Sequence, residues 1–326
     1  MDGVIWINEI KEMESKKLQI DIKVCDNEEK RYIYQLECKD RDYNFYYIEN
    51  LWLSTSINIK SVYTIKVKDN FLKVNKKKIY SNMVNSMFLE DIVIIYGDDI
   101  KKILLMKINN SRILMCNSSL KKYIKNKYME YILEFFERIF QEKLSCNIFT
   151  LETKFQAVAF PNVIVVSDRL YKYPYTCLYK NIPHEIFHQC NGCEIKYCGN
   201  AKEWMRESLV EYLQLVCIKG VLGEKFFENQ LKEYERLSNG KSSKEVTLYN
   251  FDFVKDKEYY NSLVYGRGVL LFEMIFQHKI ENIEAVIRKL KEKKSRIILE
   301  EFLKILKEVL NIDTDYFLEY FIKENL

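Results

Sequence analysis

Two histidines four residues apart flank a glutamate in the segment His184-Glu185-Ile186-Phe187-His188. Positions i and i+4 of a helix project from one face, so both imidazoles can reach a single metal ion. The glutamate between them is suited to take a proton from a metal-activated water. The whole chain of 326 residues contains only three histidines, which makes coincidence a poor explanation. The segment therefore predicts a hydrolytic metal site with His184 and His188 as ligands and Glu185 as general base.

A third ligand is needed, because a catalytic zinc site usually has three protein ligands and an open position for water. The remaining histidine, His278, is far away in the sequence, in a predicted amphipathic helix, where a surface position is the simplest interpretation. Glu207 follows His188 after eighteen intervening residues, in a second predicted helix, and its carboxylate would complete a His-His-Glu set. This is the ligand set of the gluzincins. Glu211, four residues later, shares the face of Glu207 and either orients a ligand histidine or is a surface residue.

The spacing from His184 to Glu207, together with the W-x-x-E-x-x-x-E-Y pattern of residues 204–212, resembles the aminopeptidase N family. That family carries a tyrosine in a Y-x-K-G-like motif, and this chain has Tyr265-Gly266-Arg267-Gly268. The resemblance covers about residues 120–326 and implies a thermolysin-like catalytic domain. It also implies one Zn²⁺ ion, peptide-bond hydrolysis by a zinc-activated water, and Tyr265 as the donor that stabilises the oxyanion.

One motif of that family is missing. Its G-x-M-E-N strand should fall at residues 156–162, where alignment of Asn162 with the asparagine of the motif puts Pro161 in place of the glutamate that binds the substrate's α-amine. The sequence therefore favours an endopeptidase or a specialised peptide-processing enzyme. Two alternatives stay open: an aminopeptidase that takes its anionic subsite from Glu152 or Asp168, and a catalytically idle relative that binds peptides. The strand itself is expected to bind substrate backbone by edge pairing, through residues Ala157, Val158, Ala159 and Phe160.

The elements that must position these residues follow from hydrophobic periodicity. From about residue 17 to residue 105 apolar and polar residues alternate, which predicts antiparallel strands. The period then becomes helical, two apolar stretches at 146–151 and 157–166 favour strands, and nearly everything after residue 178 favours helices. Pro183 suits the first turn of the histidine helix and Gly192 its end. The predicted fold class is α+β, with a small β-rich N-terminal domain (1–115) before a mostly helical domain (116–326), which the resemblance implies is a thermolysin-like zinc peptidase domain.

Composition and charge limit the classes of binding partner that the sequence supports. The net charge of +4 arises from 51 basic and 47 acidic residues spread along the chain, which gives no support to binding of nucleic acid or a membrane. No signal-peptide pattern and no apolar run of about 20 residues is present, so a cytoplasmic location is expected. The resemblance to the aminopeptidase N family implies a peptide or protein substrate. Of nine cysteines, Cys190, Cys193 and Cys198 follow the metal helix; buried, idle thiols are favoured over redox control of the site.

Overall fold

The computed structural model describes residues 3–13, 17–24, 28–35, 38–39, 43–48, 63–67, 78–81, 92–97, 102–108, 111–116, 126–151, 156–167, 169–170, 177–253, 255–293 and 296–323. The chain divides into two compact units. One contains Met1–Lys107, Arg112–Ile124 and Ser145–Glu185, and the other contains Ile108–Ser111, Lys125–Leu144 and Ile186–Leu326. The domains at 1–115 and 116–326 stay a prediction.

The first hundred residues contribute eight of the described strands. These are β1 (Gly3–Met13), β2 (Lys17–Val24), β3 (Glu28–Gln35), β4 (Cys38–Lys39), β5 (Tyr43–Ile48), β6 (Tyr63–Val67), β7 (Lys78–Ser81) and β8 (Ile92–Gly97). They form two four-stranded sheets, in the orders β3-β2-β1-β6 and β4-β5-β8-β7. The pairing is antiparallel as predicted, except that β1 and β6 run parallel. Strand β1 begins before the alternating pattern used for the prediction and was missed by it.

A five-stranded sheet follows, built from β9 (Lys102–Ile108), β10 (Ser111–Cys116), β11 (Ser145–Leu151), β12 (Ala157–Phe160) and β13 (Val163–Ser167). Its order is β12-β13-β11-β10-β9, so β12 is an edge strand. The stretch 157–166, predicted as one strand, is instead an antiparallel hairpin. Pro161 precedes Asn162, whose φ is 60°, and this combination is typical of a type II turn. Apolar residues on both sides of the turn concealed it in the sequence.

The described helices are α1 (Asn126–Phe140), α2 (Ile182–His188), α3 (Leu209–Leu222), α4 (Glu224–Ser238), α5 (Gly268–Phe276), α6 (Ile280–Lys291), α7 (Leu299–Leu310) and α8 (Thr314–Phe317), with a 3₁₀ turn at Lys257–Tyr259. Four π-helical segments adjoin them. Cys177–Asn181 leads into α2, Trp204–Ser208 into α3 and Asn261–Arg267 into α5, while Leu318–Lys323 follows α8. The chain after residue 178 is mostly helical, as predicted, because its apolar residues recur every three or four positions.

An aromatic stack fixes the beginning of α3 in the core of the second unit. Trp204 stacks on Phe272 of α5, with ring centroids 4.8 Å apart and an interplanar angle of 11°. Phe302 of α7 meets Trp204 edge-on at 5.5 Å. All three side chains are fully buried. Such offset-stacked and edge-to-face pairs contribute about 0.5–1.5 kcal/mol each beyond the burial of their area. The segment that carries Glu207 is therefore held firmly against α5 and α7.

Candidate metal centre

The predicted metal-binding residues lie on two helical elements. Helix α2 carries His184, Glu185 and His188, which are buried with relative accessibilities of 7–8%. The π-helical segment before α3 carries Glu207, which is equally buried. Ligand atoms of His184, His188 and Glu207 all lie within 4.8 Å of one another. Two imidazole nitrogens and a carboxylate oxygen suit Zn²⁺, so these side chains fit the ion that the sequence predicts.

The two carboxylate oxygens of Glu207 have different surroundings. Oε2 lies 3.4 Å from Nε2 of His188, toward the other candidate ligands. Oε1 instead lies 3.2 Å from Nη2 of Arg206. The same Arg206 nitrogen donates to Oε2 of Glu203 at 2.8 Å. Arg206 thus holds one oxygen of Glu207 by charge and leaves the other facing His188.

The predicted oxyanion donor, Tyr265, lies beside this group. Its hydroxyl donates to Oε2 of Glu207 at 3.5 Å. The hydroxyl of Tyr260 donates to that of Tyr265 at 3.4 Å, and the two rings meet edge to face at 4.9 Å. Burial, followed by the negative charge of Glu207, raises the pKa of Tyr265 well above its ordinary value. The phenol therefore remains protonated and able to donate a hydrogen bond.

Direct contacts join the π-helical segment of Glu207 to that of Tyr265. The hydroxyl of Ser208 donates to the carbonyl of Val264 at 2.6 Å, and Nε1 of Trp204 donates to the carbonyl of Gly268 at 3.2 Å. Gly268 makes this close approach possible, because a Cβ atom there would lie 2.2 Å from Oγ of Ser208. The residues that flank Glu207 and Tyr265 are thus bonded to one another. Both segments are π-helical, a feature that often marks functional sites.

The ring of His188 is oriented by a backbone group. Its Nδ1 lies 3.0 Å from the carbonyl oxygen of Asn191 and donates to it in the Nδ1-protonated tautomer. The lone pair of Nε2 then faces Glu207, as a metal ligand requires. Sequence reasoning missed Asn191, because a contact through a main-chain oxygen gives no signal in the identity of the side chain.

The other predicted residues have the following surroundings. Glu211 accepts a hydrogen bond from the hydroxyl of Tyr234 at 2.6 Å, and its role toward a ligand histidine stays a prediction. His278 is exposed, as expected, and its Nδ1 lies 2.9 Å from a carboxylate oxygen of Glu273. Residues 157–159 of β12 are half-buried and Phe160 is buried. Glu152 and Asp168, the alternative sources of an amine subsite, lie outside the described residues.

The edge strand β12 begins near the start of the histidine helix. The side chain of Asn181, three residues before His184, donates to Oε1 of Gln156 at 3.2 Å, and Gln156 directly precedes β12. Among the described strands β12 pairs with β13 alone. Its other edge is therefore free of a described strand, as pairing with a substrate backbone would require.

The three cysteines after α2 form no disulfide with a described residue. Cys190 and Cys193 are buried, as predicted, whereas Cys198 is partly exposed. The thiol of Cys190 donates to Oε2 of Glu194 at 3.3 Å. Burial, and then the charge of Glu194, raise the pKa of Cys190 well above its ordinary value, which disfavours the reactive thiolate.

In the part of the chain that is described, no helix has both the length and the apolar character that crossing a bilayer requires.

No protein-family model and no curated protein matches this sequence. Solved structures do match its fold. An M1 zinc metallopeptidase from Deinococcus radiodurans superposes with a TM-score of 0.66 at 9% identity, over 100% of this chain and 93% of that chain. An aminopeptidase N family protein from Idiomarina loihiensis gives 0.65 at 13% identity, over 100% and 68%. Yeast LTA4 hydrolase in complex with bestatin gives 0.62 at 12% identity, over 99% and 68%. The fold of this chain is therefore similar to that of the M1 zinc peptidases.

Proposed function

We propose that this protein is a zinc-dependent peptidase that holds one Zn²⁺ ion through His184, His188 and Glu207. The observation that carries the proposal is the buried His-His-Glu group, with the Tyr265 hydroxyl 3.5 Å from Glu207, in a chain with an M1 peptidase fold. When bound, zinc lowers the pKa of water toward about 7 and polarises a carbonyl oxygen. Nδ1 of His188 and Oε1 of Glu207 face Asn191 and Arg206, whereas Nε2 of His188 and Oε2 of Glu207 lie 3.4 Å apart, as two ligand atoms of one ion would.

The remaining chemistry belongs to two side chains. Glu185, next to the first ligand on the same buried helix, takes the proton of the attacking water and passes it to the leaving amine. Tyr265 donates its hydroxyl hydrogen to the oxygen that becomes negative as the peptide carbonyl is attacked. The geometry suits this role, because the hydroxyl lies 3.5 Å from Oε2 of the candidate ligand Glu207. Removing such a donor typically lowers the rate by roughly 10² to 10³.

The expected specificity is that of an endopeptidase or a specialised processing enzyme. Position 161, where the resemblance to the aminopeptidase N family places the amine-binding glutamate, is a proline in the turn between β12 and β13. Glu203, a buried carboxylate near the centre, does not replace it, since its charge is paired with Arg206 at 2.8 Å. A substrate strand paired with the edge of β12 would extend on both the N-terminal and the C-terminal side of the scissile bond, as in an endopeptidase.

An aminopeptidase with a different amine subsite, supplied by Glu152 or Asp168, is the first competing function. A peptide-binding protein without catalysis is the second. The presence of both Glu185 and Tyr265 argues against the latter, because a protein that only binds peptides needs neither a general base nor an oxyanion donor.

One experiment separates the three. A series of peptides, each with a free and an acetylated N-terminus, is incubated with the zinc-loaded protein, and Glu185→Gln serves as the matched blank with an amide of nearly the same shape. We expect cleavage of both forms by the wild type and loss of cleavage in Glu185→Gln with zinc retained. Cleavage of the free-amine series alone would favour the aminopeptidase. Peptide binding without cleavage by the wild type would favour the binding protein, and equal turnover by Glu185→Gln would refute the mechanism.

A further inference from the structure

Asn191 lies three residues after His188 and is completely buried. Its side chain has a partner for every polar atom. Nδ2 donates to the carbonyls of Met205 at 3.3 Å and Arg206 at 3.0 Å, and Oδ1 accepts from the hydroxyl of Tyr197 at 2.5 Å. The carbonyls of Met205 and Arg206 belong to the two residues directly before Glu207. The amide of Asn191 therefore grips the main chain next to that carboxylate.

The main chain of Asn191 contacts helix α2, which carries His188. Its carbonyl oxygen lies 3.0 Å from Nδ1 of His188, and its N–H donates to the carbonyl of Phe187 at 3.0 Å. The next residue, Gly192, has a φ of 127°, and a Cβ atom there would lie 3.0 Å from Nδ1 of His188. The chain thus bends sharply against the imidazole. Only glycine adopts this backbone without strain.

We propose that Asn191 is the positioning residue that couples His188 to Glu207. One residue holds the ring of the histidine through its carbonyl and the π-helical turn of the glutamate through its amide, so neither can shift without the other. This inference rests on the proposed function for the identity of the metal ligands. The coupling itself is a property of the protein without metal.

The size of the effect follows from the geometry. In Asn191→Leu a side chain of the same branched shape, but larger, leaves two main-chain carbonyls and the Tyr197 hydroxyl without the amide that joins them. The fixed distance of 3.4 Å between Nε2 of His188 and Oε2 of Glu207 would then spread over a range. Loss of such outer contacts typically weakens metal affinity by about 10- to 100-fold.

Two readouts test the inference, one with metal and one without it. Because the chain has three histidines, the imidazole ¹⁵N spectrum of the metal-free protein contains only three ring systems. We expect His188 of the wild type to show a single tautomer protonated at Nδ1, and Asn191→Leu to show a mixture. Zinc affinity, measured by competition with a chromophoric chelator, should fall by about 10- to 100-fold in Asn191→Leu.

Thr247→Val is the matched control. Thr247 is also buried, and its hydroxyl lies 3.2 Å from Oδ1 of Asn250 within its own turn, so this variant loses a buried polar contact away from His188. It should change neither the tautomer nor the zinc affinity. If Asn191→Leu does not fold, Tyr197→Phe takes its place, with an expected loss of affinity of about 2- to 10-fold from one missing hydrogen bond.

The outcomes are distinct. A single His188 tautomer and a zinc affinity within a factor of about two of wild type, in whichever of the two variants folds, would overturn the inference. A mixed tautomer in the metal-free wild type would overturn it as well. If the wild type does not bind zinc but the variant still mixes its tautomers, the proposed function fails and the coupling by Asn191 stands.

Discussion

Gly268→Ala tests the contact between the segments of Glu207 and Tyr265. Gly268 begins α5 with a helical φ of −62°, so alanine alone would favour the helix by about 1 kcal/mol. Its Cβ atom, however, would lie 2.2 Å from Oγ and 2.9 Å from Cβ of Ser208, and 3.0 Å from Cδ1 of Trp204. Ser208 must move, and its 2.6 Å hydrogen bond to Val264 is then lost. The substitution therefore makes one favourable and two unfavourable contributions to the free energy of unfolding, and these contributions can be summed.

Overpacking of a filled core costs about 1–3 kcal/mol, and the lost hydrogen bond costs about 0.5–1.5 kcal/mol. After the gain of about 1 kcal/mol in helix propensity is subtracted, Gly268→Ala should lower the free energy of unfolding by about 0.5–3.5 kcal/mol. Because Ser208 is adjacent to Glu207, zinc affinity should fall as well. Urea unfolding of the metal-free protein and chelator competition measure the two effects separately.

Two further variants make the test specific. Gly220→Ala creates a comparable clash, with its Cβ atom 1.7 Å from the hydroxyl of Tyr131 in the same compact unit, and should destabilise the fold without changing zinc affinity. In a Ser208→Ala background the Oγ atom and its hydrogen bond are already gone, so Gly268→Ala should cost less there by about 1 kcal/mol or more. A Gly268→Ala protein as stable as wild type, or additive effects in the double variant, would refute the reasoning.

Three other outcomes are expected. Glu207→Ala should abolish the stabilisation of about 2.7 kcal/mol that zinc at 100 times its Kd confers on the wild type, and normal zinc content in that variant would exclude Glu207 as a ligand. Tyr265→Phe should keep zinc but turn over roughly 10² to 10³ times more slowly, because the oxyanion loses a hydrogen-bond donor; an unchanged rate in a peptide assay would exclude Tyr265 as that donor. Iodoacetamide should label the partly exposed Cys198 before the buried Cys146, since burial raises the pKa of Cys146 to about 12; peptide mapping that shows equal labelling would contradict this burial.

The helices could be predicted from the sequence because their signal is local. Residues such as Phe272 and Phe276 of α5 recur on one face and are buried there, which is what periodicity measures. Strand pairing is not local. The parallel pairing of β1 with β6 joins segments more than fifty residues apart, and the hairpin at Pro161 depends on a turn between two equally apolar stretches. Alternation predicts that a strand exists without indicating its neighbour.

The candidate site shows the same difference between local and non-local signals in the sequence. That His184 and His188 lie close together could be predicted because one helical turn fixes their relation. That Glu207 lies beside them could be predicted from its spacing of eighteen residues after His188. Ser208, Asn191 and Gly268 could not. The side chains of Ser208 and Asn191 bond to main-chain carbonyls of other segments, and Gly268 matters because it lacks a side chain. Their importance depends on which element lies opposite, and only tertiary packing decides that.

The π-helical segments explain why a correct helix prediction still leaves the site undetermined. A π-bulge accommodates one extra residue in a helix, and each residue of an α-helix turns the chain by about 100°. Side chains before the bulge are therefore rotated by about that angle from where an uninterrupted α-helix would put them. Glu207 and Tyr265 both lie within such segments, at the entrances to α3 and α5. Whether Glu207 faces His188 thus depends on a local change of hydrogen bonding in the helix. The contacts of Asn191, Trp204 and Ser208 stabilise this change, and the spacing of apolar residues in the sequence does not indicate it.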